Sequence, residues 1–504
     1  MSARSDSDVK SDAKPFDSDV ESGPKPEIKT EIPASKPQDP NLVTWDGPKD
    51  PENPKNWPDA KKWRYTVTVS VFCFISPISS SMVAPALQQL GRDLGTTSDL
   101  EVELALSIFL LAYAIGPIFF GPMSELHGRV RILQLSNLWY LAWNLGCGFA
   151  QNKAEFFVFR FLAGLGGSAP LAIGGGALSD VWMPHNKGKA MAIYTLSPIL
   201  GPVIGPIAGG FIAERSTWRW VFWSTSAFAL FIQCIGLWGL TESHAPTLLR
   251  RKRERLVKET GNTALHTGEG PPMSLPKRLA DAFTRPLKMF ATQPIVMLIS
   301  VYIAYIFGLN YLLFVIFPGV YTGVYGEPIG IAGLHYAALG IGLIIGLFVQ
   351  FFFIDKVYMR LKKRNNNVGR PEFRIPTMVI GSVLVTAGLF WYGWSVQSRN
   401  HWVVPDLGII VFSAGTMICL NGMQTYIIET YMKYAASAMA ASAILRSLCG
   451  FSFPLFAPYL YNALGYGWGT SVLAFISIAI GWTAPFIFWF YGPKLRAVSK
   501  FASG

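Results

Sequence analysis

From residue 65 onward the chain alternates long apolar runs with short polar stretches. The runs fall near 65–88, 102–122, 131–150, 156–180, 188–212, 218–240, 294–318, 330–354, 375–396, 406–428, 437–462 and 468–491. Each is close to the ~20 residues that a helix needs to cross the hydrocarbon core of a bilayer. The pattern predicts an all-α integral membrane protein with twelve transmembrane helices. Residues 1–60 lack the pattern: Ser, Asp, Lys, Glu and Pro dominate and too little apolar surface is present to fold, so a disordered tail is expected, with no cleaved secretory leader. Just before the first run, Trp45, Trp57, Lys61, Lys62, Trp63 and Arg64 are expected to anchor at the membrane surface. A polar interruption at 241–292 divides the spans six and six, leaving helical bundles at 61–240 and 293–492 and a tail at 493–504. Arg250 to Lys258 read either as a helix along an anionic leaflet or as solvated linker.

Charge sharpens this layout. Of 504 residues, 51% are hydrophobic and only 15% charged, and the net charge of +12 is segregated into loops. Arg129, Arg131, Lys187, Lys189, the Arg250-Arg251-Lys252-Arg253 cluster and Lys362-Lys363-Arg364 fall on one side, against Arg92, Lys153, Arg215, Arg219 and Arg399 on the other. The positive-inside rule then puts both termini in the cytosol, with the plasma membrane expected and a vacuolar membrane as the alternative. A basic excess distributed this way argues against a nucleic-acid partner. The five cysteines show no CxxC spacing and the six histidines no metal-ligand spacing. No Gly-x-Ser-x-Gly elbow or phosphate-cradling loop with a Lys appears, so neither an enzyme nor an ATP-driven pump is expected.

Within the spans, three features carry candidate chemistry. The stretch 197–210 repeats Pro198, Pro202 and Pro206 and Gly201, Gly205 and Gly209 every four residues, followed by Gly210. On a helix this is a bent rod with a smooth strip where another backbone can approach. Gly342 and Gly346 in the eighth span offer a matching strip from the other half. Between the second and third spans, Glu125, Arg129 and Arg131 sit where Arg129 could pair with Asp180 at the end of the fourth; with them are grouped Glu429 near the inner end of the tenth span and Arg446 toward the cytosolic end of the eleventh, for which a structural role is the alternative. These six read as a gate latch, or as ordinary inside-positive loop residues. Arg160 lies inside the fourth span, where a charge costs about 2.5–3.5 kcal/mol or more unless it serves a function or snorkels to the interface. Polar interruptions at Ser80, Asn310, Tyr311, Tyr336, Gln350, Asn421, Gln424 and Tyr426 are candidate cavity lining, with packing as the alternative for the tyrosines. No carboxylate falls near the middle of a span; Glu103, Asp180 and Glu429 are the candidates to carry a proton.

These residues resemble a known family. Gly121 to Arg131 is similar to the signature loop of the major facilitator superfamily, with Glu125 where many members have Asp, and Arg160 with Gly164 to its fourth-span arginine motif. Gly201-x-x-x-Gly205-Pro206-x-x-Gly209-Gly210 resembles the antiporter motif of its drug:proton exporters. Trp218-Arg219-Trp220, Thr241 to Pro246, Tyr434 to Ala438 with Arg446-Ser447, and Phe453 to Phe456 are similar to the fungal twelve-span branch. The resemblance covers about 45–492 and implies two pseudo-symmetric six-helix bundles and alternating access. It further implies export of small hydrophobic or amphipathic drugs, toxins or secondary metabolites, driven by a proton gradient with no cofactor, by a monomer surrounded by lipid. Alternatives are an exporter or facilitator dedicated to one metabolite such as an organic acid or polyamine, and, in another class, a membrane-embedded receptor or channel. With no midplane acid, a cavity holding Arg160 suits neutral or anionic substrates better than polycations.

Overall fold

A computed structural model describes residues 39–183, 186–268, 275–499 and 501. Ten helical segments among them are long and apolar enough to cross a membrane: Asp59–Asp93, Asp99–His127, Lys153–Val181, Lys187–Arg215, Arg219–Gly239, Pro294–Gly323, Ile329–Arg364, Pro371–Gln397, Val403–Thr430 and Ala435–Val498. Two further observations count toward the expected twelve. Arg129–Phe149 is a 21-residue helix made less apolar by Gln134, Asn137 and Asn144, polar groups that are satisfied inside the bundle: Asn144 donates to the Phe222 carbonyl, Thr225 and Ser226. Ala435–Val498 contains two spans, because Gly465 breaks the helix with φ 70° and ψ 175°, a left-handed φ that only glycine adopts without strain.

Local sequence starts several of these helices. Ser98 and Asn152 cap the second and fourth spans, each accepting from the N–H three residues on (Glu101 and Glu155), while those glutamates reach back to the N–H groups of Thr97 and Gln151. Lys153 donates to Glu101 at 2.6 Å and ties the two ends together. At the opposite end, Gly128 with φ 98° makes the turn between the second and third helices. Below, the end of the bundle that holds this turn and the 241–292 linker is the basic end, and the other is the far end.

The described residues from Val43 onward form one unit. Of the expected tail, 1–38 lie outside the described residues. Residues 44–57 are built onto the linker rather than free, because a buried lysine requires them. Linker helix Ala245–Thr260 presents Lys252, 6% exposed, whose ammonium reaches Asp46 at 2.6 Å, Asp50 at 3.7 Å and the Thr44 carbonyl at 3.1 Å. Asp50 in turn accepts from the N–H groups of Asp46 and Glu52. Arg250 of this helix donates to the Leu126 carbonyl at the end of the second span, so the basic stretch packs on protein rather than along a leaflet alone. A second linker helix, Leu275–Thr292, contributes Arg278 to Glu125 at 3.5 Å.

The two halves meet at mid-depth and at the far end. Ser80 of the first span and Tyr311 of the seventh share a hydrogen bond of 3.1 Å, and the Gly330 N–H donates to Glu214 of the fifth at 2.7 Å. A side chain at Gly450 would come within 3.1–3.3 Å of Phe307 and Leu110, so the eleventh, seventh and second spans touch there.

Candidate functional site

The proline–glycine helix is the fifth span, Lys187–Arg215. Its glycine strip faces the first span. A Cβ at Gly201 would come 2.5 Å from the Pro77 side chain, one at Gly205 2.6 Å from Ser81, and one at Gly209 would collide with the Met82 carbonyl. Pro77 bends the first helix at the same level. The expected pairing with Gly342 and Gly346 is corrected: those glycines lie against Ser413 and the Ala414 carbonyl of the tenth span. The physical reason is helical angle. Gly210, one residue beyond the strip, points about 100° away and meets the other half at Ile329 and Gly333, with Gly333 in turn on the Pro206 carbonyl.

At the basic end, Arg129 organises a latch. Its Nε donates to Asp180 at 3.2 Å, its Nη1 to Ser124 at 2.7 Å, and its backbone N–H to Glu242 at 2.9 Å. Glu242 also accepts from the N–H groups of Ser243 and His244, so one carboxylate caps the third helix and folds the exit from the sixth. The latch departs from the expected set at four positions. Glu125 pairs with Arg278 of the linker. Arg131 is exposed, because its side chain leaves the helix on the outer face. Glu429 pairs with Arg374 at 3.1 Å, within the second half. Arg446 is in the membrane-spanning part of the eleventh helix, its guanidinium 4.9 Å from the Phe307 ring, about 16 Å along a helix that begins at Ala435. The second half thus repeats the first: Arg374 and Glu429 stand at the start of the ninth and the end of the tenth span as Arg129 and Asp180 do at the third and fourth. Arg496 after the twelfth span grips Glu372 with two bonds of 2.9 and 3.0 Å, in the place of Glu242 with the charges exchanged.

At the centre, Arg160 is fully buried and turned inward rather than snorkelling. It donates to the Ser79 carbonyl at 2.7 Å and to Ser79 Oγ at 3.3 Å, and lies 4.4 Å from the Phe109 ring. Carbonyls of the last turn of the first helix, which ends at Ser81 and leaves them without intrahelical N–H donors, thus solvate the charge. Around it the structure assembles Ser80, Tyr311 and, beyond the Tyr311–Phe307 ring contact of 5.0 Å, Arg446. Among the described residues no carboxylate pairs with either guanidinium, and the Nε of each has no hydrogen-bond partner. Tyr113, which bonds Ser76 beside this group, is a further member that the sequence reading does not name.

Other expected lining residues lie apart. Tyr336 is buried and donates to the Phe314 carbonyl at 2.5 Å. Asn310 donates back to the Ile306 carbonyl of its own helix. Tyr426 packs on Phe488 of the twelfth span, 5.5 Å between rings. Asn421 and Gln424 are half-buried on the tenth helix, and Gln350 opens a π-helical turn at Gln350–Ile354. Glu103, near the far end of the second span, is only 5% exposed; its Oε2 has no partner among the described residues, and it is an electrostatic neighbour of Tyr336.

A sequence profile of the Major Facilitator Superfamily matches residues 69–454. The chain belongs to the major facilitator superfamily. It is 62% identical over 467 residues to "Efflux pump vrtL" of Penicillium aethiopicum, covering 93% of this chain and 92% of that one. It is 41% identical over 470 residues to "MFS-type transporter penM" of Penicillium rubens, covering 92% and 91%. Among solved structures, the xylose transporter XylE of E. coli in a partially occluded inward open conformation superposes with a TM-score of 0.64 at 15% identity, over 86% of this chain and 98% of that one. A bacterial homolog of the human lysosomal transporter Spinster, inward-facing and unoccupied, gives 0.63 at 14%, over 89% and 100%. The major facilitator fold accounts for the repeat of the latch: each half carries its own version at the basic end.

Proposed function

We propose that this major facilitator protein exports small amphipathic secondary metabolites or drugs across the plasma membrane by alternating access, in exchange for protons, with the basic end in the cytosol. The observation that carries the reading is the 62% identity, over nearly the full length of both chains, to a protein named as an efflux pump. The geometry is consistent with it. A seam that meets at the far end and at mid-depth, with ion pairs confined within each half at the basic end, describes a carrier closed to the outside.

Arg160, fully buried, and Arg446, half-buried, neither paired with a carboxylate among the described residues, set the substrate chemistry. A polyamine would bring like charge to Arg160 and Arg446 in a low dielectric, whereas a neutral or acidic aromatic compound would find guanidinium beside the Phe307, Tyr311 and Phe314 rings. Glu103, buried at the seam with an unpartnered oxygen, supports the proton half of the exchange.

The test is an untargeted comparison of compounds released by overexpressing and deletion strains, followed by transport of the identified compound in proteoliposomes. Transport should require the pH gradient and be abolished by Arg160→Ala with normal membrane insertion. Equal rates with and without the gradient would refute proton exchange, and unchanged release of every compound would refute export.

A further inference from the structure

At the far end of the second half, His335 is held between two carboxylates. Its Nδ1 lies 2.7 Å from Asp406 and its Nε2 2.7 Å from Glu327. The ring stacks face to face on Tyr321, centroids 3.6 Å apart, and meets the edge of Trp402. Tyr321 donates to the other oxygen of Asp406 at 2.5 Å. His335 is 7% exposed.

The proton count of this arrangement is decided by valence. Ionised carboxylates only accept, and a neutral imidazole has a single N–H, so two short bonds from one ring to two carboxylates require one more proton than a neutral histidine and two carboxylates possess. Imidazolium between two carboxylates supplies it with both bonds charge-assisted.

The position of the cluster gives that proton a mechanical role. His335 is the joint between the short helix Ile329–Leu334 and the long helix Tyr336–Val349. The short helix is the piece of the second half that closes on the fifth span: the Gly330 N–H is on Glu214, Ile329 is against Gly210 and Gly333 against Pro206. Glu327 lies just before it, and Asp406 is near the start of the tenth span. Protonated His335 therefore clips the closing helix to the tenth span.

We propose that the His335–Glu327–Asp406 cluster is a proton-binding site that locks the outer gate shut. With the proton removed, one carboxylate loses its donor and two negative charges are left facing each other across the ring, which frees the short helix. The other titratable or charged groups facing the cluster are Tyr321 from the seventh span and Tyr325 from the loop after it, Tyr392 from the ninth, through Asp406, and His401 behind Trp402. Glu103 of the first half reaches only Tyr336, the next residue. No Lys or Arg pairs with Glu327 or Asp406 among the described residues, so the imidazolium is the cluster's cation. This rests on the export reading: a proton taken from an acidic exterior after substrate release would close the gate and return the carrier to its inward-facing state.

The experiment is pulsed electron–electron resonance on full-length protein in nanodiscs. Spin labels are placed at Arg215→Cys and Gly323→Cys, on opposite halves of the far end, in a Cys234→Ser, Cys449→Ser background. From pH 5 to pH 8 the short-distance population should give way to a longer one, the closed-to-open ratio changing by up to about tenfold per pH unit for one linked proton. His335→Gln should abolish the response, and Glu327→Gln, in a loop, should displace its midpoint. A distribution indifferent to pH, or an unchanged response in both variants, overturns the proposal. A response that runs through His335 in a protein whose transport ignores the pH gradient would leave this site standing and sink proton exchange instead. Gradient-driven transport with the response intact in His335→Gln would do the reverse.

Discussion

At the scale of single residues, the charges held inside this protein are each solvated differently. Arg160 is held by main-chain carbonyls, the half-buried Arg129 guanidinium by Asp180 and the Ser124 hydroxyl with Glu242 on its main-chain N–H, and Lys252 by a short acidic strap. Glu242 holds three N–H groups, so Glu242→Gln weakens three charge-assisted bonds. Transport is expected to fall by about tenfold, equivalent to ~1.4 kcal/mol on the latch, which initial rates in proteoliposomes would measure. His244, beside it, donates to or accepts from Thr247, and burial, with help from Arg129, Arg250 and Arg278, pushes its pKa down to about 4. Because an unfolded histidine titrates near 6.5, the folded form binds fewer protons between these values. Stability is therefore full above about pH 6.5 and is lost as pH falls toward 4. Thermal unfolding at pH 7.5 and pH 5 should show this loss, and His244→Gln should reduce it; an identical pH profile in the variant would contradict the assignment.

At the scale of elements, the fifth helix presents two glycine faces with different duties. Gly201, Gly205 and Gly209 join it to the first helix inside one half, and Gly210 meets the other half. Gly209→Ala, which drives a Cβ into the Met82 carbonyl, is expected to lower thermal stability. Gly210→Val instead obstructs Ile329 across the seam, and is expected to block outer closure and abolish transport while stability changes less. The contrast is read by unfolding curves and transport rates on the same preparations; equal effects on both would mean that the faces are not separate. A bulky Gly205→Leu should impair both.

At the scale of the molecule, the linker ties the basic end together. Its two helices reach the first helical half at Leu126 and Glu125, and the acidic strap at 44–57 is clipped over Lys252. Lys252→Met leaves Asp50, 7% exposed, without its cation. The strap should then become accessible to limited proteolysis near residues 44–57, with little change in the membrane-spanning core; unchanged cleavage would mean that the backbone bonds to Asp50 suffice.

The membrane-spanning helices, the Arg129–Asp180 pairing and the family motif are legible in the sequence, because each depends on spacing along one helix or on residues placed at helix ends. The identity of contacts across the bundle was not. Gly342 and Gly346 match the fifth span in pattern yet pack on the tenth, and Arg446 reads as a rim charge yet stands beside Tyr311's ring partner at the centre. His335 gave no signal either, since Glu327 and Asp406 are eight and seventy-one positions away and converge only when the seventh, eighth and tenth spans meet. A one-dimensional pattern determines which helices form and which of their faces are smooth or charged. Rotation of each helix against its neighbours, settled by packing over the whole bundle, decides which partner each face receives, and with it where a proton can be held.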